Sequence, residues 1–146
     1  MSDSHGRKSL IEKIIEQQPL AEHIIFLGDG ASEMEEVSYI YPEKQYHIVS
    51  GNCDFNSNYK STDTLTVCGV KIMFTHGHNY RVKYCTDDLE NEARSLYAQI
   101  VLYGHTHVSN IEYKDGLYIV NPGTVSSSYL VIDIAAKAIV PIIVNV

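Results

Sequence analysis

Residues 100–107 read IVLYGHTH, an apolar run followed at once by a glycine and two histidines. The apolar run is short and ends in polar residues, which predicts a buried β-strand at 100–103. Gly104, His105 and His107 follow where that strand ends. If the backbone stays extended there, the two imidazoles point to opposite sides, so that each can bind a different metal ion. The segment therefore predicts a strand that delivers two histidines to a metal site.

Four other clusters of metal-ligand residues follow expected strand positions: Asp3-Ser4-His5, Gly28-Asp29, Gly51-Asn52 and Thr75-His76. Ligands placed just beyond strand ends gather along one edge of a sheet, where open α/β proteins place their sites. Carboxylates, imidazoles and one amide oxygen suit Mn, Fe, Zn, Ni or Co better than calcium or a thiolate metal. Glycines beside these ligands predict sharp bends in the backbone.

The distribution of the seven histidines favours a metal site over unrelated turns. Four of them lie in these clusters and His78 follows two residues after His76, whereas His23 and His47 are interpreted as ordinary strand-end residues. Each cluster alone is also a common turn or cap sequence. The ordered set of five, each after an expected strand, is difficult to explain in that way.

Composition limits the classes of function. The 146 residues are predicted to form a single domain, 1–146. A formal net charge of −7 disfavours duplex nucleic acid and anionic membranes as partners, because both require a basic surface. No apolar run approaches the ~18 residues that cross a bilayer, and no signal peptide is recognised. Cys53, Cys68 and Cys85 are unsuited to a disulfide framework, so a cytoplasmic protein with free thiols is expected.

Apolar periodicity predicts the remaining elements. Helices are expected at 9–18, from Ser32 as N-cap towards Tyr41, and after Thr86 as N-cap. Strands are expected at 24–27 and 47–49, and hairpins at 64–74, 111–120 and 129–144. Helices between early strands, followed by hairpins, indicate α/β units that merge into a mixed sheet.

In chain order, five motifs resemble those of calcineurin-like metallophosphoesterases: Asp3-x-His5, Gly28-Asp29, Gly51-Asn52, Thr75-His76-Gly77-His78 and Gly104-His105-x-His107. The extended forms Gly51-Asn52-Cys53-Asp54 and Asn121-Pro122-Gly123-Thr124 resemble the small YfcE-like phosphodiesterase branch in particular. The resemblance covers essentially the whole chain. It implies an α/β fold, a four-layer αββα sandwich of two mixed β-sheets flanked by helices, and a dinuclear, metal-dependent phosphodiesterase or phosphatase.

The resemblance also implies two divalent metal ions, with manganese expected first and nickel, zinc, iron or cobalt as alternatives. The implied ligands form two sets and one bridging residue: Asp3, His5 and His107; Asn52, His76 and His105; and Asp29 between the ions. A hydroxide shared by the two ions would attack a small phosphate ester in line with its leaving alcohol.

Three residues are candidates for catalysis on the same grounds. Asp29 and Asn52 would act through the metal centre, and Asn52 would also contact the substrate. Many members of the superfamily have a histidine, as a candidate acid, where this chain has Cys53, which we expect to be a small buried residue. His78 is then the nearest candidate for protonating the leaving group or binding the substrate.

Two further departures from the family pattern affect the fold. The chain begins at Met1-Ser2-Asp3, so the domain is expected to lack the usual first strand, with Asp3 and His5 on a frayed terminus. The segment after Gly123 is short, which leaves 121–123 open between a substrate loop and a simple strand-end turn.

Two other functions compete with the enzyme. A non-catalytic metal-binding scaffold would resemble the retromer subunit of this fold, which has a degraded metal site; the presence of all seven implied ligands favours the enzyme. A nuclease would need a basic surface or an additional DNA-binding domain, for which this acidic chain leaves no room. The last hairpin could pair with another copy at a sheet edge, which would give a homo-oligomer.

Overall fold

The computed structural model describes residues 1–136 and 138–146. Along these residues the helices are α1 (Lys8–Gln17), α2 (Ala31–Ile40) and α3 (Asp87–Ser95), with a short 3₁₀ turn at His78–Tyr80. The strands are β1 (His23–Phe26), β2 (Gln45–Ile48), β3 (Thr62–Val67), β4 (Val70–Thr75), β5 (Ile100–Leu102), β6 (Asn110–Lys114), β7 (Leu117–Asn121), β8 (Ser128–Ala135) and β9 (Ala138–Asn145). The elements expected from the sequence are confirmed, with bounds shifted by one or two residues.

A five-stranded mixed sheet forms one layer, in the order β3-β4-β5-β7-β6. Its central strands β4, β5 and β7 are parallel, and the hairpin partners β3 and β6 are antiparallel to their neighbours at the edges. Parallel neighbours end at the same edge of a sheet. The histidine motifs that follow β4 and β5 are therefore brought side by side.

The second strand layer consists of two separate pairs, parallel β1–β2 and antiparallel β8–β9, rather than one continuous mixed sheet. Successive side chains of β1 point to opposite faces of the strand layer, as expected for a strand inside a sandwich. Ile24 and Phe26 pack in a cluster with α1 and α2, whereas Ile25 and Leu27 pack in a cluster with the five-stranded sheet. A third cluster joins α3 to the far face of the five-stranded sheet. The layers are thus helices, strands, strands and helix, which confirms the αββα sandwich.

The N-terminal residues are ordered and buried, so the expectation of a frayed terminus is wrong. Leu27 N donates to Met1 O, and Asp3 N donates to Gly28 O, which places residues 1–3 in extended form alongside β1. On the other side, Val125 N donates to Ser2 O. Ser2 and Asp3 have no exposed surface. Hydrogen bonds on both sides therefore hold residues 1–3 in place.

The two predicted side-chain caps are also wrong. Neither α2 nor α3 has a side-chain hydrogen bond at its N-cap position. Helix α2 begins after Gly30, one residue before the expected cap Ser32, and Thr86 donates to Glu90 Oε1 instead of binding the backbone. A carboxylate from a distant turn binds the start of α2, as described below.

Candidate metal centre

The first group of candidate ligands surrounds a buried carboxylate. Asp3 Oδ1 lies 3.1 Å from His107 Nε2 and 3.8 Å from His5 Nε2, and the two imidazole nitrogens are 3.4 Å apart. This Asp3 oxygen is buried and has no hydrogen-bond partner among the described residues. An unpaired buried carboxylate oxygen is costly. A bound cation would remove that cost, so the geometry fits a metal ion.

The second group converges on His76, which is fully buried. Its Nδ1 lies 2.8 Å from Leu27 O, so Nδ1 carries the proton and Nε2 presents a lone pair. That lone pair faces Asn52 Oδ1 at 3.1 Å and His105 Nδ1 at 3.1 Å. Because an amide oxygen cannot donate a hydrogen bond to Nε2, the contact with Asn52 is repulsive unless a cation lies between them.

Asp29 lies between the two groups. Its Oδ2 is 3.9 Å from His5 Nε2 and 3.5 Å from His76 Nε2, while Cys53 N donates to its Oδ1 at 2.8 Å. The structure therefore brings all seven sequence-predicted ligands into one continuous cluster. Two ligands ~2.1 Å from a shared ion are ~3–3.4 Å apart at ordinary coordination angles. The spacings within each group are close to that range, so divalent cations fit the donor set.

Five of the candidate ligands adopt a left-handed backbone conformation, a feature that the sequence analysis missed. Asp3, His5, Asp29, His105 and His107 have φ values of 56°, 44°, 56°, 65° and 63°. Such values are uncommon outside glycine and concentrate at functional sites. The assumption of an extended backbone at 105–107 is therefore wrong. The two histidines diverge because each turns through the left-handed region, not because a strand alternates.

Two of the glycines are needed because they lack a side chain, not because they adopt a left-handed backbone conformation. The expectation of a sharp bend at each glycine is therefore wrong for these two. Gly51 and Gly104 do not have positive φ. A Cβ atom on Gly51 would collide with Asp29 Oδ1 and lie 2.6 Å from Asp29 N. A Cβ atom on Gly104 would collide with Ser2 Oγ and lie 2.8 Å from Asp3 Oδ2. Each glycine lets a metal-binding aspartate approach the neighbouring strand end.

Gly51→Ala is expected to lower metal-dependent activity by about 100-fold, because the new methyl group must displace the backbone of Asp29. The measurement is kcat/KM together with the metal content of the purified variant. Gly116→Ala is the control, since no atom lies within 4 Å of its Cβ position, although its φ is +83°. That control should lose about 1 kcal/mol of stability and keep its activity. Wild-type activity in Gly51→Ala would contradict the steric argument.

Asp54 is the main functional residue that the sequence analysis did not assign. Its Oδ2 accepts from Asp29 N and Gly51 N, and its Oδ1 accepts from Gly30 N and Ala31 N, at 2.7–2.9 Å. Burial opposes its ionisation, but the four backbone donors outweigh burial and lower its pKa below the usual value. One carboxylate thus binds the start of α2 and joins the loops that carry Asp29 and Asn52. Its only sequence signal was its place in the Gly51-Asn52-Cys53-Asp54 motif.

Two further side chains hold the histidine loops. Glu33 Oε1 accepts from Gly6 N at 2.6 Å, directly beside His5. The buried Asn121 donates to Gly104 O at 2.9 Å and to Thr106 Oγ1 at 3.0 Å. Residues 121–123 therefore do more than end a strand: Asn121 supports the loop that carries His105 and His107.

Cys53, which was expected to be buried, and His78, the candidate for protonating the leaving group, both lie beside the cluster. Cys53 is exposed, not buried, because it lies on the turn after β2. A hydrogen bond of its side chain to Asp29, together with the nearby carboxylates, raises the pKa of the thiol. His78 has its ring centroid 5.3 Å from that of His76 and a buried Nδ1 without a partner among the described residues. Burial, then the neighbouring His76, lowers the pKa of His78.

His23 and His47 do not join the cluster in this structure. His23 Nδ1 and His47 Nε2 are 3.1 Å apart on the paired strands β1 and β2. They contact each other, in agreement with their interpretation as strand residues.

The profile of the calcineurin-like phosphoesterase superfamily domain matches residues 1–137. The chain belongs to this superfamily. Among curated proteins, the phosphoesterase is similar to the probable metallophosphoesterase YsnB of Bacillus subtilis strain 168. The two are 32% identical over 126 residues, which cover 86% of this chain and 72% of YsnB.

Solved structures agree with the fold of this phosphoesterase. A predicted phosphoesterase from Streptococcus pneumoniae TIGR4 superposes with a TM-score of 0.85 at 26% identity, covering 99% of this chain and 86% of the other. Vps29 of Entamoeba histolytica, in a complex with zinc, superposes with a TM-score of 0.73 at 17% identity, covering 92% and 88%. In the described part of the phosphoesterase, no helix has the length and apolarity to span a bilayer.

Proposed function

We propose that this phosphoesterase hydrolyses a small phosphodiester with two bound divalent cations, manganese being the first to test. The observation that carries the proposal is the convergence of lone pairs around Asp29. Asp3, His5 and His107 would hold one ion, Asn52, His76 and His105 the other, and Asp29 both. Bound there, the ions would lower the pKa of a water molecule and neutralise charge on the phosphate oxygens.

The residues of the chain supply orientation. Leu27 O keeps the His76 lone pair directed at the centre, and Asp54 fixes the loop of Asp29. His78 can donate an N–H group to a phosphate oxygen. Burial, then His76, then Lys83 lower the pKa of His105. Lys83 is therefore close enough to place positive charge on the side of the site where His105 lies. These groups position a phosphate without forming a bond to it.

The surroundings also favour particular substrates. The side chains nearest the cluster that carry a proton are the thiol of Cys53 and the imidazole of His78, and neither group is a strong acid, so esters with acidic alcohols should react fastest. The cavity beside Asp29 contains Glu33, Glu35 and Asp54 and no lysine or arginine among its described lining residues. That wall disfavours a monoester dianion more than a diester monoanion.

The test is hydrolysis of bis-p-nitrophenyl phosphate and p-nitrophenyl phosphate by the purified protein, with Mn²⁺ added or with EDTA. We expect EDTA to lower turnover by at least about 100-fold, Mn²⁺ to restore it, and the diester to be preferred by about tenfold. Metal analysis by mass spectrometry should give two ions per chain. Hydrolysis that resists EDTA, or a monoester preference, would contradict the proposal.

A second candidate is a non-catalytic metal-binding scaffold, favoured by the shared fold with Vps29. The same experiment separates the two. A folded, metal-loaded protein that hydrolyses neither ester with any of the five candidate metals would support the scaffold.

A further inference from the structure

A cavity of about 610 Å³ opens directly beside the candidate metal centre. Its wall includes His5 and Asp29, and the rest comes from the first turns of α2 and from residues 53–59. A phosphate bound at the centre would border this cavity on the side of His5 and Asp29, and the cavity has room for one of its ester groups. The inference that follows rests on the proposed function, because it concerns the alcohol part of the same substrate.

The charged side chains that line this cavity are acidic. Glu33, Glu35 and Asp54 line it, and no described lining residue is a lysine or arginine. Glu33 and Asp54 already accept backbone N–H groups, whereas the Glu35 side chain is exposed. A cavity with acidic walls raises the local concentration of cations and repels anions.

An unusually exposed aromatic ring lies in the same wall. Phe55 is 84% exposed although it is large and apolar, and Tyr59 is half-buried four residues further along. Burial raises the pKa of the Tyr59 hydroxyl, and the nearby Glu35 carboxylate raises that pKa further, so Tyr59 and Glu35 are close together. Aromatic faces beside carboxylates bind alkylammonium groups through cation–π attraction and charge.

We propose that this cavity binds the alcohol group of the phosphodiester and selects it by charge, favouring an alcohol that bears an ammonium group and excluding an anionic one. Glu35 supplies the charge, and Phe55 supplies the aromatic surface. The two residues determine specificity and leave the chemistry at phosphorus to the metal centre.

Three p-nitrophenyl diesters that share a leaving group test the proposal: the choline ester, its uncharged 3,3-dimethylbutyl isostere and a 3-carboxypropyl ester. On the Mn²⁺-loaded protein we expect kcat/KM to fall in that order, by about fivefold at each step. Glu35→Lys should reverse the order between the choline and carboxypropyl esters, and Phe55→Ala should reduce the difference between the choline and dimethylbutyl esters without removing it. Glu36→Lys is the matched control, because it changes the net charge equally one residue away and does not line the cavity.

Calorimetry gives a readout that does not need turnover. Phosphocholine should bind the Mn²⁺-loaded protein about fivefold more tightly than 3,3-dimethylbutyl phosphate, and Glu35→Lys should remove the difference. Equal rates and equal affinities for all three charges would overturn the charge selection, as would an effect of Glu36→Lys as large as that of Glu35→Lys. A calorimetric preference without hydrolysis of any diester would support the selection and contradict the proposed function.

Discussion

Asp29→Asn is expected to lower kcat/KM for bis-p-nitrophenyl phosphate by a factor on the order of 10⁴, leaving turnover near background. Asp29 Oδ2 lies between His5 Nε2 and His76 Nε2. Among the described residues, Asp29 belongs to two of the three groups of side chains whose geometry could hold a metal ion. Asparagine keeps an oxygen that can accept from Cys53 N, so the loop should remain folded. It lacks the negative charge that lets one side chain serve two cations. Metal analysis should show the loss of at least one ion per chain.

Asp133→Asn is the matched control, because it makes the same chemical change at an exposed position on β8. It should keep both the metal content and the activity of the parent protein. Two ions per chain in Asp29→Asn, or activity within tenfold of the parent, would show that Asp29 does not bridge.

Asp54→Ala should destabilise the metal-free protein by about 3 kcal/mol and lower activity by a factor of about 100. The substitution leaves four backbone N–H groups without their acceptor, at Asp29, Gly30, Ala31 and Gly51. The loops of Asp29 and Asn52 then lose their common anchor, although Asp54 is not itself a candidate ligand. Urea denaturation in EDTA measures the stability term separately from metal binding.

Asp54→Asn separates charge from geometry. Its single amide oxygen can retain part of the acceptor role, so its loss of stability should fall between that of alanine and the parent. An Asp54→Ala protein with parental stability in EDTA would refute the anchoring role. A loss of stability with unchanged activity would show that the loops hold the metal ligands without it.

The outline of the site was predictable because metal ligands are rare residue types that recur at strand ends. The strands after which Asp29, Asn52, His76 and His105 come were visible as apolar runs, and parallel neighbours share an edge. The layered fold was predictable for a similar reason, since the alternation in β1 and β8 divides each strand between two cores.

The local backbone was not predictable from the same patterns. Periodicity reports which face of an element is buried, and it contains no information on left-handed residues outside regular elements. The order at Met1-Ser2-Asp3 depends on hydrogen bonds to distant residues such as Gly28 and Val125. The left-handed loop of His105 is likewise held from a distance, because His105 N donates to Asp3 Oδ2 and Asn121 donates to Gly104 O. Asp54 was missed because three of its four partners are backbone N–H groups at the start of α2 and just before it, 23 to 25 residues earlier. The exposure of Cys53 was unpredictable for a related reason, because it depends on the path of the turn that follows β2.

The candidate ligands come from both strand layers of the sandwich. Asp3, Asp29 and Asn52 follow the β1–β2 layer, whereas His76 and His105 follow the five-stranded sheet. Each bound ion would therefore cross-link two layers that otherwise meet through apolar contacts and a few hydrogen bonds such as that from His76 to Leu27. Folding and metal uptake become linked equilibria, so the availability of metal in the cell would set how long the folded chain survives as well as how fast it works.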